Sequence, residues 1–422
     1  MQSVRISVRH CSSSVIVRQR QRVGVLGLFG WRSIVLRSMN ESACPGRTRY
    51  TRIHEQSVTR RSVVSADCGM WILVQRIFLP VGYPSSVRDS YTRFIRLNMA
   101  QVVFISLSRV LSTQAMLLAV GLGQGGALPI AAVMNWLLKD GLGHVGSILV
   151  GTSINTKFDS DPKRYKFVSV SLGQLANLFG ILSLARPGMF LALTSLSSAL
   201  SRVGTLAFTS SRARIYENFS AAGNIGDLMR CSQAQSTLAT ILGTGIGIAV
   251  APIIGFDVTS ILGLFVPVSA ATHWLAYKAV ETIELRTLNI QRMELVTWTF
   301  LKEGRVLSPS DVSKKEKFVR NYKPSYRINV NPPISEDLLY GAENAIADLE
   351  SKKYCIIRPS DGIVVSLFIG VDATPEQAIK GLFEAISESD ETWNNFRQQL
   401  LSQRWDLSVA FIDNVDYRLC FG

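Results

Sequence analysis

The chain has 422 residues, of which 47% are hydrophobic and only 18% charged, with a mean hydropathy of +0.21. That is too apolar for an ordinary soluble protein and fits a chain that is part membrane-bound and part water-soluble. The net charge of +14 does not point to nucleic acid, because residues 1–75 carry twelve arginines, no lysine and three acids (Glu41, Glu55 and Asp67), which supply most of the excess.

Residues 1–75 form an Arg/Ser-rich leader, poor in acids and broken by short apolar stretches such as Val23–Phe29. This composition matches an organelle transit peptide or an unstructured N-terminus, and it is set apart from the fold. The body, 76–300, opens on a Pro/Gly-kinked stretch with Pro80, Gly82 and Pro84. Uncharged runs follow at 110–138, 167–185 and 187–201. Two longer runs at 231–256 and 258–277 are divided by Asp257, the one charged residue between Cys231 and Tyr277. A helix needs ~20 apolar residues to cross the hydrocarbon core, so the last two runs predict spans joined by a tight turn, and the earlier three are candidate spans. Short polar loops are expected at 139–141, 159–166 and 210–230, and the periodicity is helical throughout.

The segment 301–329 is basic, with eight Lys and Arg residues between Lys302 and Arg327. Following an apolar run, it marks the cytoplasmic, stromal or matrix side. After Pro332-Pro333, residues 330–422 read as a small soluble α+β domain. Strands are expected at Tyr354–Ile357 and Ile363–Ile369 across a Pro359–Gly362 hairpin turn, helices at Thr374–Ile386 and Glu391–Gln403, and a last strand at Leu407–Ile412. The fold class is therefore mainly α: a helical membrane-associated bundle followed by a small α+β domain.

Chemistry is sparse. The six cysteines (11, 44, 68, 231, 355 and 420) and four histidines (10, 54, 144 and 273) are scattered, without C-x-x-C spacing. That argues against a zinc site or a disulfide framework, and no cofactor is expected. Gly121, Gly123 and Gly126, and again Gly141, Gly143 and Gly146, match the spacing of a dinucleotide fingerprint. No buried strand precedes them and no acid answers about twenty residues on, so they read better as helix-packing and turn glycines. Gly243 and Gly247 form a G-x-x-x-G pair within the 231–256 run, which points the same way. Two polar islands remain as a candidate ligand or partner surface. One is Lys139-Asp140 at the end of an apolar helix. The other is the segment Ser211–Arg230, with Arg212, Arg214, Asn224, Asp227 and Arg230, in which Asp227 and Arg230 stand at ion-pair spacing on a helix. No hydrolase or P-loop motif is present.

Several motifs resemble the root UV-B sensitive family: Leu79–Val87, Ser112–Ala115, Trp136–Gly143, Ser220–Asp227, Leu288-Asn289 and Val306–Pro309, in family order between about 78 and 325. The chain differs from the family's usual tryptophan-arginine pair at Arg164-Tyr165 and from an acid near Asn177. The resemblance implies a membrane protein, in several plant members plastid-located, linked to UV-B response, seedling development, auxin transport and vitamin B6 homeostasis, with no agreed catalytic residues. Three functions follow in order. The first is a non-enzymatic integral membrane protein in a plastid or other organelle, bound to the bilayer and acting through a protein partner such as another family member. The second is a carrier of a small anionic metabolite, and the third an enzyme using Lys139/Asp140 or Asp227. A carrier should draw polar residues together inside the bundle; a scaffold should show a groove on the tail.

Overall fold

The computed structural model of the chain describes residues 7–11, 14–23, 28–37, 74–121, 160–319, 327–332, 351–358, 364–388 and 390–411, with isolated positions between them. Residues 1–71 and 72–422 are separate compact units. In the first, strands β1 (Ser7–Cys11), β2 (Ser14–Val23) and β3 (Leu28–Arg37) form an antiparallel meander.

The second unit begins with five long helices: α1 (Ser90–Ala119), α2 (Pro162–Ala185), α3 (Phe190–Phe219), α4 (Ile225–Ile254) and α5 (Val258–Glu281). All five are long and apolar enough to cross a membrane. Asp257 caps α5, its carboxylate accepting from the Thr259 and Ser260 amides at 3.0 and 3.2 Å. The break expected at this residue is therefore a helix cap. The expected loop at 210–230 is much shorter. Helix α3 runs on to Phe219 and α4 starts at Ile225, because the charged residues of this stretch occupy the helices' end turns.

Small residues set how the helices approach. A Cβ on Gly243 would lie 2.2 Å from the Val103 carbonyl oxygen, and one on Gly247 would lie 2.8 Å from Val110 Cβ, so α4 packs closely along α1 in the same direction. Gly180 meets Ser112 and Met116, which aligns α2 with α1 as well. Helices α3 and α5 return: Ser197 Oγ donates to the Ala176 carbonyl at 2.7 Å, and Leu111 packs on Ile261 and Phe265. One end of the bundle thus collects the starts of α1, α2 and α4 with the ends of α3 and α5. Its core is Tyr91, Phe94, Ile215, Tyr216, Phe219 and Leu228.

The chain leaves that end through β4 (Thr287–Asn289), α6 (Ile290–Glu303) and α7 (Pro309–Lys315) into the α+β module. There β5 (Arg327–Val330) pairs parallel with β7 (Val364–Ile369), and β6 (Tyr354–Ile357) pairs antiparallel with β7, as expected of a hairpin, with Tyr354 opposite Ile369. Helix α8 (Pro375–Ser387) starts in a capping box of Thr374 and Gln377; α9 (Trp393–Ser402) and β8 (Asp406–Phe411) complete the module. Strand β8 pairs parallel with β4, so a short strand lies within the stretch read as wholly helical. The module's core also reaches further back than the Pro332-Pro333 break. Leu288, Met293, Val296, Phe300, Leu307 and Val312 share it with Leu367, Ile379, Phe383 and Phe396. The apolar face of α6 is spaced for this core, and the basic side chains that set 301–329 apart point the other way, Lys302 and Lys314 being exposed.

Candidate functional site

Two of the family-like stretches, Leu79–Val87 and Ser220–Asp227, meet at the end of the bundle from which the module departs. The Val81 amide donates to the Asp227 carboxylate at 2.6 Å, and Arg230 holds Asp227 at 2.9 Å while donating to the Arg76 and Ile77 carbonyls. Gln235 Nε2 donates to the Phe78 carbonyl at 2.7 Å. Backbone bonds from Arg88 to Phe219 and from Ala221 to Ser86 close the contact. The first turns of α4 therefore fasten the Pro/Gly stretch across the bundle end. Asn224 exchanges hydrogen bonds with Ser220 and shapes the turn between α3 and α4.

Inside the bundle, one turn into α2, lies Lys166. It is 2% exposed, and its Nζ donates to Asn98 Oδ1 on α1 at 2.7 Å. The ammonium sits 5.3 Å from the centre of the Phe94 ring and 5.4 Å from that of Phe208. The Arg212 guanidinium of α3 lies over the same Phe208 ring at 5.8 Å and over Tyr216 at 5.5 Å. Its Nη atoms donate to Gln233 Oε1 and the Met229 carbonyl, both at 3.2 Å, but its buried Nε has no partner. Among the described residues neither cation is within ion-pair distance of a carboxylate. Lys166 is not among the residues that the sequence singles out. Its signal was a lone lysine at the head of an apolar run, where a charge is costly unless it has a task.

A second buried network joins the bundle to the module. Glu316, just past α7, ion-pairs with Lys163 Nζ at 2.7 Å and accepts from Arg292 Nε at 3.0 Å, and all three side chains are at most 2% exposed. Burial alone would push the Glu316 carboxyl up; Lys163 and Arg292 together hold it below the usual carboxylate range. Lys163 also donates to Ser313 Oγ at 2.8 Å, and Arg292 to the Ser160 carbonyl at 3.2 Å and the Thr287 carbonyl. Asp161, the N-cap of α2, is pushed up to about 6 by burial and by the Glu316 charge. A raised carboxyl favours the folded state below its unfolded value and loses that contribution as pH rises through about 6. Asp161→Asn, which keeps a capping oxygen, should therefore melt with the parent protein at pH 4 and above it at pH 8. For this partly exposed group the gap should be roughly 1–2 kcal/mol. Thermal melts in detergent across that range check this, and a gap independent of pH refutes it.

Of the other expected site residues, Arg214 pairs with Glu217 at 2.7 Å and lies over Phe411 of β8. Lys139 lies outside the described residues, as do Gly123, Gly126, Gly143 and Gly146. Asp140 accepts from Ser198 Oγ at 3.4 Å and faces Arg202 at 3.9 Å, in the middle of α3. Arg212 stands ten residues further along that helix, about 15 Å away along its axis. The module has its own cavity of about 400 Å³, lined by Asp348, Arg358, Glu384, Glu388, Asp390 and Glu391 among others.

Comparison with known proteins gives a consistent picture. The model of the vitamin B6 photo-protection and homoeostasis domain matches residues 66–304. The chain is 34% identical to the chloroplastic root UVB sensitive protein 2 of Arabidopsis thaliana over 250 residues, covering 58% of this chain and 56% of that one. It is 26% identical to root UVB sensitive protein 3 of the same plant over 332 residues, covering 75% of each. A RUS family member of Dictyostelium discoideum is 24% identical over 264 residues, covering 62% of this chain and 50% of the relative. The matches thus span only about half the length of several of these relatives. No solved structure matches.

Proposed function

Because the chain belongs to the root UV-B sensitive family, the family of the vitamin B6 photo-protection and homoeostasis domain, we propose that it is an integral membrane protein that binds and carries a small anionic metabolite in vitamin B6 homeostasis. The observation that supports this most is the inward convergence of polar groups in helices long enough to span. Asn98, Gln101, Lys166, Gln174 and Gln235 are all buried, whereas beyond the first turns of α4 the large side chains exposed on α4 and α5 are apolar or aromatic, among them Ile241, Leu242, Ile248, Ile253 and Val266. Lipid tails suit that outer surface, and a bilayer-buried cation without a carboxylate suits an anion. The excess of positive charge after α5 favours placing the module on the cytoplasmic, stromal or matrix side.

A second function, docking of a protein partner, is favoured by the acid-lined cavity on the module, which suits a basic segment. One preparation tests both. The protein is expected to stay in the pellet when membranes are washed with alkaline carbonate. After mild detergent purification, native mass spectrometry should show a bound small anion. Release by carbonate refutes integral insertion, and a stoichiometric protein partner with no small molecule replaces the carrier by the docking function.

A further inference from the structure

We propose that Lys166 and Arg212 form, between α1, α2 and α3, a site for the phosphate group of a small phosphate monoester. This rests on the anion-binding function above and names the ligand's chemical class. Three features carry it. First, both cations border the Phe208 ring, Lys166 buried and Arg212 half-buried, and among the described residues no carboxylate lies within ion-pair distance of either. Like charges placed together in a low dielectric repel each other, and the arrangement becomes favourable when an anion neutralises both. Second, each cation keeps donors without an acceptor. An ammonium has three protons and Lys166 gives one of them to Asn98, while the buried Arg212 Nε–H has no acceptor. A tetrahedral oxyanion supplies several acceptors at once and pairs well with guanidinium. Third, the surroundings set the charge and the type of ligand. Two cations match the charge of a phosphate monoester near neutral pH, where a monocarboxylate would leave one of them uncompensated. Phe94, Phe208 and Tyr216 give the remainder of such a molecule apolar and aromatic contact. Arg212 reaches from the buried Nε to the partly exposed Gln233, so it links this region to the bundle end.

The test uses the full chain in detergent, with phenyl phosphate and benzoate as probes in calorimetry and thermal melting. Phenyl phosphate should bind and raise the melting temperature, and benzoate should bind at least about tenfold more weakly. Lys166→Met and Arg212→Gln should each weaken phenyl phosphate at least about tenfold, and Lys166→Arg should retain it. Without probe, Lys166→Met should melt at or above the parent protein, because an uncompensated buried charge has been removed. Arg212→Gln, at a half-buried position, keeps the test open should the lysine variant fold poorly. Failure of phenyl phosphate to bind the parent, equal affinity for benzoate, or unchanged binding in both charge-removing variants overturns the proposal. Should the protein purify with a small anion that is not a phosphate ester, the site assigned here fails while the carrier function stands.

Discussion

Glu316→Gln is expected to lower the melting temperature of the detergent-solubilised protein by roughly 5–10 °C and to reduce the amount recovered from membranes. The substitution keeps the side-chain shape but deprives Lys163 and Arg292, both essentially without solvent, of the carboxylate that ion-pairs with them, leaving only the more distant Asp161. Removing one partner of such a buried set costs about 3–5 kcal/mol, a large part of a typical folding free energy. The effect should come from the orphaned cations and not from the missing carboxylate itself. Replacing all three residues by apolar ones of similar volume should accordingly restore most of the loss. A melt of Glu316→Gln within about 2 °C of the parent would sink this account of the junction.

The second large effect is expected where α1 and α4 touch. Gly243→Ala places a methyl group 2.2 Å from the Val103 carbonyl oxygen and 2.8 Å from Ser106 Cβ, so the helix backbones must separate. Overpacking of this kind costs about 1–3 kcal/mol, against about 1 kcal/mol gained from alanine's better helix propensity. Gly245, two residues on in the same helix, has nothing within 4 Å of an added Cβ. Gly245→Ala should therefore be neutral or slightly stabilising. Unfolding titrations of the two variants side by side are decisive: equal behaviour would mean that the Gly243 approach is not what sets the spacing of α1 and α4.

Much of the fold was legible in the sequence because the features that specify it are local. Uncharged runs marked α2, α4, α5 and the first part of α3, Asp257 marked the turn between α4 and α5, and Thr374 announced α8 as its N-cap; α1 instead begins at Ser90, well before the run expected at 110–138. What was missed depends on distant residues. Nothing near Thr287–Asn289 foretells a strand, because its partner is 406–411, and the role of α6 in the module's core shows only once Phe383 and Phe396 lie against it. The candidate site divides in the same way. Asp227 and Arg230 were visible as an ion pair, but what they hold is a carbonyl-rich stretch some 150 residues earlier in the chain. Arg212 stood out by its charge within the polar segment. Lys166 did not, since only Asn98 and Phe94 of α1 with Phe208 of α3 define its surroundings.

The pairing of β4 with β8 imposes an order on how the protein is made. The five helices are complete once Glu281 has left the ribosome, but β4 gains its partner only when 406–411 have been synthesised. Until then β4 offers an open strand edge, and Lys163 waits without Glu316 at the head of α2. The nascent chain therefore passes through an interval in which its five long helices are complete and its α+β module is unfinished. In that interval a chaperone able to shield a bare edge would have its greatest influence on yield.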